Sequence, residues 1–381
     1  MKIAANSTIA ASELALLKLA DTSVDEPLIL PTRIRHLAGG AEAALLQLVV
    51  TWAQRCVYRR LETYITSSDD PQIDNFIRKL PGMTAALCAH EISGRAPPTD
   101  LTHSVVKAAL DRLGKLSGAQ PASAFRGPSA EILCADHIAR GTPYLLYQKC
   151  QTGGSELRSR GNFRSLAAWL LRKSFSAEYR ETTNPKLGDA LGGMLYEAFK
   201  NTEDHARVDE RGDVLETSIR AIKTNRFDIE PDVLVRILKD FSPLAEYCRS
   251  LVPLEGGVQT HFFELSIVDS GPGFASTWTS KSINELSIFE EETAVRECFA
   301  RGSAKQRNRF GEGLPHVLRI LEQEQGFLKL RTGRLSFYVD YSKSDSKSKN
   351  EVLQRYRPKE GELAPVSGSL LTIILPLRRR V

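Results

Sequence analysis

The 381-residue sequence lacks the patterns of several common protein classes. Its six cysteines include no Cys-x-x-Cys pair, and the nearest two lie too far apart for a compact zinc knuckle. The histidines show no metal-ligand spacing, and no internal repeat is found. No stretch approaches about 18 uncharged apolar residues, so no transmembrane helix is expected. A long, cysteine-poor chain is expected to keep reduced thiols in the cytoplasm.

Strong charge imbalance is absent as well. The net charge is +5, with 42% hydrophobic and 25% charged residues, which is ordinary for a globular protein. Such a mild excess permits an acidic partner but does not demand a nucleic acid, and no helix-turn-helix or zinc signature is present. The first residues carry a charge without a continuous apolar core after it, so no signal peptide is expected.

The arrangement of apolar runs predicts an α+β protein in two parts. Residues 1–130 are predicted to form a mainly helical region of unknown role, ending in a Gly- and Pro-containing linker over 117–130. Residues 131–378 are predicted to form a second domain with a polar insert at about 207–260. Apolar periodicity predicts helices and strands at the following positions: helices over 41–64, 72–90, 101–116, 161–174, 187–205, 230–250, 290–300 and 314–325, and strands over 261–268, 326–332, 335–341 and 370–376.

The predicted helix 187–205 carries Glu197, Asn201 and His205 on nearly one face, because each lies four residues after the last. A glutamate in this position can polarise a water molecule. An asparagine can give its amide oxygen to Mg²⁺, which prefers oxygen ligands and takes few of them from protein. The simpler alternative is a solvated helix face, where both residue types are common.

The predicted strand 261–268 runs directly into Asp269, which begins the sequence Asp-Ser-Gly-Pro-Gly. A carboxylate at a strand end can accept a hydrogen bond from an exocyclic amine such as that of adenine. Gly271 and Gly273 lack side chains where a flat ring would approach the backbone. The same five residues are also good turn chemistry, and a plain turn is the alternative.

A second glycine motif, Gly311-Glu-Gly313-Leu314, precedes an apolar-periodic helix. Free amides and the dipole at a helix start favour phosphate, although a lone Gly-x-Gly is weak evidence. The preceding loop, 301–310, is basic, which suits the charge of a triphosphate, although a solvated basic loop is the simpler alternative. Its basic residues are Arg301, Lys305, Arg307 and Arg309.

Taken in order, these features resemble the ATP-binding domain shared by DNA gyrase, the heat-shock-ninety chaperones, MutL and histidine kinases, the GHKL superfamily. The segment 197–206, which we call the box and its helix the box helix, resembles the corresponding motif of anti-sigma-factor kinases. The segment 368–376 resembles the closing strand of histidine-kinase catalytic domains. The resemblance covers roughly residues 160–378. It implies a Bergerat-type fold, a mixed or antiparallel sheet with helices on one face, that binds ATP and Mg²⁺. Pro315, His316 and the long insert depart from it.

The resemblance also implies roles for individual residues. Glu197 would be the general base and Asn201 the Mg²⁺ ligand, and Asp269 would bind the adenine amine with Thr372 assisting through water. The remaining residues would border the nucleotide. Asp204 and His205 would do so from the box, Gly271 and Gly273 at the adenine, and Arg301 and Lys305 from a lid. Gly311, Gly313 and Leu314 would contact the phosphates.

Three functions stay open at this level. The first is an ATPase in which the nucleotide orders the lid and controls a protein partner or a homodimer. The second is a histidine or serine kinase, for which His90 is the one tempting phosphoacceptor, although Gly94, Pro97 and Pro98 would break a helix just beyond it. The third is a sensor that binds ATP without hydrolysing it.

Overall fold

The fold is described from a computed structural model, which defines residues 1–21, 26–35, 39–120, 125, 127–151, 153–174, 185–251, 261–301, 313–342, 353–358 and 361–377. Within those ranges, no helix combines the length and the apolar character needed to cross a bilayer.

The amino-terminal part combines helices with a sheet of its own. Its elements, in chain order, are α1 (Ile9–Asp21), β1 (Leu28–Leu30), α2 (Ala41–Arg55), β2 (Arg60–Thr63), α3 (Gln72–Ile77), α4 (Leu80–Cys88), β3 (Glu91–Arg95), β4 (Pro98–Asp100) and α5 (Thr102–Ser117). The sheet has the order β1-β2-β3-β4, parallel except for the last pair. The sequence predicts a short strand over 28–34, where β1 lies, but the prediction of a mainly helical region missed β2, β3 and β4, because strands of three to five residues are too short to show a period of two.

The rest of the chain builds a larger, fully antiparallel sheet. Its elements are β5 (Ala130–Ala135), β6 (Tyr147–Lys149), β7 (Ser155–Leu157), α6 (Arg160–Ser174), α7 (Pro185–His205), β8 (Ile219–Asp228), α8 (Pro231–Asp240), α9 (Ser242–Leu251), β9 (His261–Asp269), α10 (Phe274–Thr279), a 3₁₀ turn (Ile283–Glu285), α11 (Ile288–Arg301), α12 (Gly313–Gln323), β10 (Phe327–Gly333), β11 (Leu335–Asp340), β12 (Gln354–Tyr356) and β13 (Val366–Leu377). Seven of these strands form the sheet, in the order β12-β11-β10-β13-β9-β8-β5, and β6 and β7 pair with each other as a separate two-stranded sheet. The α+β class is thereby confirmed.

Helices cover both faces of this sheet, where the sequence predicted helices on one face. On one face, α2 packs across β13 and β9, and every residue from Ala41 to Ala53 is buried. On the other face, α7 lies over β9 and packs between α6 and α12. The amino-terminal part is therefore in direct contact with the back of the strands that carry the candidate site.

Strand β8 lies inside the segment predicted to be a polar insert. The sequence did not predict this strand, because Arg220 and Lys223 interrupt its apolar residues and charged side chains are usually solvated. Both are in fact buried, at 0% and 3% exposure. Each has carboxylate partners: Arg220 pairs with Asp136, and Lys223 pairs with Glu131 at 2.6 Å. Buried charges are tolerated when they are paired in this way.

The remaining predicted elements differ mainly at their ends. The predicted helix 41–64 ends at Arg55, and β2 follows it. The predicted helix 230–250 consists of α8 and α9, which meet at Phe241–Ser242 with Pro243 in the first turn of α9. The helix 187–205 and the closing strand are confirmed, with the strand beginning earlier, at Val366.

Candidate functional site

Asp269 is the last residue of β9, and its carboxylate is held on both sides. One oxygen accepts a hydrogen bond from the backbone N–H of Gly271 at 2.9 Å, and the other accepts one from the Ser369 hydroxyl at 3.0 Å. The side chain is 8% exposed, and burial raises the pKa of Asp269 to about 6. It is a buried carboxylate with acceptor capacity left on both oxygens.

The backbone around Asp269 comes close enough to its neighbours that only glycine fits at three positions. A side chain at Gly271 would stand 2.8 Å from the Cα of Ala206 and 2.9 Å from the carbonyl oxygen of His205, both at the end of α7. Gly273 has φ +83°, and a side chain there would approach Thr332. Gly368, with φ +67°, would overlap the Asp269 carbonyl. The Asp-Ser-Gly-Pro-Gly turn is therefore packed directly against the box helix and the start of β13.

Helix α7 carries Glu197, Asn201 and His205 on nearly one side, and its end, at His205 and Ala206, borders this turn. Successive members are rotated by about 40°, since each is four residues on. All three are half-buried, whereas the helix side that faces the sheet carries Leu195 and Phe199. Within the described structure, the end of α7 at His205 therefore meets the turn after β9, and Asn201 and Glu197 lie about one and two helical turns earlier.

Glu197 is engaged in the structure. One of its carboxylate oxygens pairs with the guanidinium of Arg160, the first residue of α6. The Glu197 side chain is 15% exposed and that of Arg160 is 45% exposed. The guanidinium also lies 5.5 Å from the centre of the Tyr196 ring. The candidate base is thus held at one oxygen by a neighbouring helix.

The two other polar residues of the box have separate positions. Asp204 pairs with Lys200 one turn earlier at 2.6 Å, with both side chains more than a third exposed. Surface pairs of this type contribute little to stability. His205 contributes its carbonyl oxygen to the close approach at Gly271. The structure therefore brings His205 to the Asp269 turn and places Asp204 on an exposed part of the helix.

Thr372 does not lie beside Asp269. Neighbouring residues of a strand point to opposite faces, and Thr372 points to the α2 face, where its hydroxyl lies 3.0 Å from that of Ser266 and close to Gly40. The residue of β13 that contacts Asp269 is Ser369. The expectation for Thr372 is therefore corrected, because its separation of three residues from Ser369 puts it on the opposite face of the strand.

A buried ionic cluster beneath the end of α7 was also missed from sequence. Arg220 of β8 binds Asp136 at 2.7 Å and the Tyr147 hydroxyl at 2.6 Å, and it pairs with Glu203 of α7. Arg220 is the register partner of Asp269. The cluster therefore fixes the carboxyl-terminal turn of the box helix to the strand next to Asp269.

The expected phosphate side of the site is described only in part. Gly313 begins α12, Leu314 is buried in its first turn, and the ring of His316 lies against Gly193 of α7. Arg301 ends α11, and nothing is described of its side chain. The other residues expected at the lid and phosphates lie outside the described residues: Lys305, Arg307, Arg309 and Gly311.

His90, the candidate phosphoacceptor, is not on a helix. Helix α4 ends at Cys88, and His90 immediately precedes β3. Its Nδ1 accepts the backbone N–H of Arg59 at 3.2 Å, and its Nε2 lies 2.7 Å from the Arg59 guanidinium. The ring also packs on Tyr58. This position gives the histidine-kinase alternative no support.

No group of three or more His, Cys, Asp or Glu side chains that could hold a metal occurs among the described residues. A Mg²⁺ ion bound mainly through phosphate oxygens needs only one or two protein ligands. The half-buried amide of Asn201, about one turn before the end of α7, would supply one such ligand.

Comparisons with protein-family models, with curated proteins and with solved structures found no match to this chain.

Proposed function

We propose that this chain binds an adenine nucleotide with Mg²⁺ in the manner of GHKL ATP-binding domains, at the edge where α7 meets the end of β9. The observation that carries the proposal is the environment of Asp269. A buried carboxylate at a strand end has both oxygens oriented by neighbours, and two glycines, Gly271 and Gly368, lie directly beside it. Such an acceptor recognises an exocyclic amine, and the glycines allow the turn, the end of α7 and the start of β13 to pack closely beside it.

The relative positions of the box and the turn support the same proposal. Gly271 contacts the end of α7, so a base seated at Asp269 would direct its phosphates along the helix side that bears Asn201. Asn201 would then hold Mg²⁺ against the phosphate oxygens, and Gly313 at the start of α12 would offer a helix amino terminus to the chain of phosphates. Ser369 takes the position beside the carboxylate that Thr372 was expected to hold.

Hydrolysis is the second part of the proposal. Glu197 would act as general base on the attacking water, and the metal would neutralise charge on the phosphates. The nucleotide would act as a switch by ordering the loop before α12. The amino-terminal part, whose α2 packs on the back of β9 and β13, is the element placed to respond.

Calorimetric titration tests the binding proposal directly. Wild-type protein is titrated with ATP and with a non-hydrolysable analogue, with and without Mg²⁺, beside Asp269→Asn. The matched control is Asp213→Asn, which changes an exposed aspartate of the loop before β8. We expect binding in the wild type and control and a loss of at least about tenfold in Asp269→Asn, because an amide no longer offers a charged acceptor. Wild-type protein that does not bind adenine nucleotides would refute the proposal.

Phosphate release then separates an ATPase from a sensor. Glu197→Ala is expected to abolish turnover while nucleotide affinity stays within about twofold, since the base contributes to the transition state rather than to the ground state. Persistent turnover in Glu197→Ala would show that Glu197 is not the base. Stoichiometric binding without any phosphate release in the wild type would identify a non-hydrolysing sensor.

A further inference from the structure

The ion pair between Arg160 and Glu197 joins two helices at the proposed catalytic edge. Arg160 opens α6, and its guanidinium contacts one carboxylate oxygen of Glu197 on α7 and lies beside the ring of Tyr196. Tyr196 in turn packs edge-on against Phe163 of α6 at a ring-centroid distance of 5.3 Å. The guanidinium is therefore kept between two neighbours on α7 although it is half-exposed.

The position of Arg160 is electrostatically unfavourable for α6 itself. The first turn of this helix contains no acidic residue, and a cation at a helix amino terminus opposes the helix dipole. Arg158, just before the helix, and Arg164, one turn later, add further positive charge. An arginine at this point does not stabilise α6, whereas it does pair with the carboxylate of Glu197.

We propose that Arg160 is a positioning residue for Glu197, an inference that rests on the proposed ATPase function. The guanidinium pairs with Oε1 of the carboxylate, and Oε2 would orient and deprotonate the attacking water. A general base must be held within hydrogen-bond reach of the proton it removes, and a charged partner on one oxygen restricts the rotation of the other. Arg160 acts through Glu197 and contributes nothing to adenine recognition at Asp269.

Steady-state ATP hydrolysis and ADP affinity test this role in Arg160→Ala and Arg160→Lys. We expect kcat to fall at least tenfold in Arg160→Ala, with KM and the Kd for ADP changed by less than about twofold, and to recover partly in Arg160→Lys, which keeps the charge but not the planar fork. The matched control is Arg164→Ala, an exposed arginine of the same helix. Its kcat is expected to stay at the wild-type value.

A double-mutant cycle tests whether Arg160 acts through Glu197. In the Glu197→Gln background, Arg160→Ala should cause no further loss of turnover, because the group it positions is already gone. Equal losses in both backgrounds, or a wild-type kcat in Arg160→Ala, would overturn the inference while leaving nucleotide binding intact. Wild-type protein that binds ATP without hydrolysing it would overturn it too. Protein that binds no nucleotide at all would overturn the proposed function itself, which the ADP titration reveals separately.

Discussion

Replacing Asp269 by asparagine should stabilise the nucleotide-free protein while it weakens nucleotide binding. The wild-type carboxylate is 8% exposed, and burial raises the pKa of Asp269 from 3.8 to about 6. That difference corresponds to about 3 kcal/mol of free energy of unfolding, which the folded chain loses when the carboxyl ionises. The loss is absent below pH 3.8, develops as pH rises towards about 6, and is complete above it.

The amide that Asp269→Asn introduces cannot ionise, so the stability of the variant should not carry this pH dependence. The amide oxygen still accepts from the N–H of Gly271, and the amino group donates to the hydroxyl of Ser369, which can turn to accept. The stability of Asp269→Asn relative to the wild type should therefore rise by up to about 3 kcal/mol between pH 4 and pH 7.5. Sites that favour function over stability behave in this way.

Urea denaturation without nucleotide, monitored by tryptophan fluorescence at both pH values, measures the difference in free energy of unfolding between Asp269→Asn and the wild type. Asp213→Asn, which changes an exposed aspartate to the same amide, serves as the control. A gap between Asp269→Asn and wild type that does not change with pH would refute the reasoning. A variant less stable than wild type at pH 7.5 would do so as well.

Three further changes test other parts of the account. Gly368→Ala should lower stability by about 1–3 kcal/mol, because φ is +67° and the new side chain would overlap the Asp269 carbonyl; Gly114→Ala, where nothing lies within 4 Å, should instead be neutral or stabilising by thermal denaturation. Asn201→Ala should remove most of the gain in ATP affinity on adding Mg²⁺, while titrations without metal stay unchanged. Arg220→Met should lower the free energy of unfolding by about 3 kcal/mol, because Asp136 and Glu203 lose the buried guanidinium and keep only their pairs with the more exposed Arg207. An unfolding midpoint equal to that of the wild type would contradict this.

The sequence predicted the motif-bearing elements because each carries an unambiguous local signal. Helix α7 has apolar residues at helical spacing, and β9 is an unbroken buried strand that ends in a turn sequence. Both were located to within a few residues. The juxtaposition of the Asp-Ser-Gly-Pro-Gly turn with the end of α7 is a tertiary fact, and the glycine at position 271 only hinted at it.

The misses have tertiary causes. Strand β8 was overlooked because the partners that make Arg220 and Lys223 compatible with a buried strand come from β5, the turn after it and two helices, none of them adjacent in sequence. Thr372 was chosen over Ser369 because the sequence does not give the register between β13 and β9, on which the facing side depends. The ion pair between Arg160 and Glu197 depends on the packing of α6 on α7, which the sequence does not give.

The most direct test of an adenine beside Asp269 compares ADP with inosine diphosphate, which carries an oxygen in place of the exocyclic amine. Affinities of both nucleotides are measured by calorimetry for wild-type protein and for Asp269→Asn. The account predicts that the wild type prefers ADP by about 10- to 100-fold, as expected for a hydrogen bond to a charged acceptor, and that the preference disappears in the variant. Equal affinity for the two nucleotides in the wild type, or a preference that survives in Asp269→Asn, would contradict it.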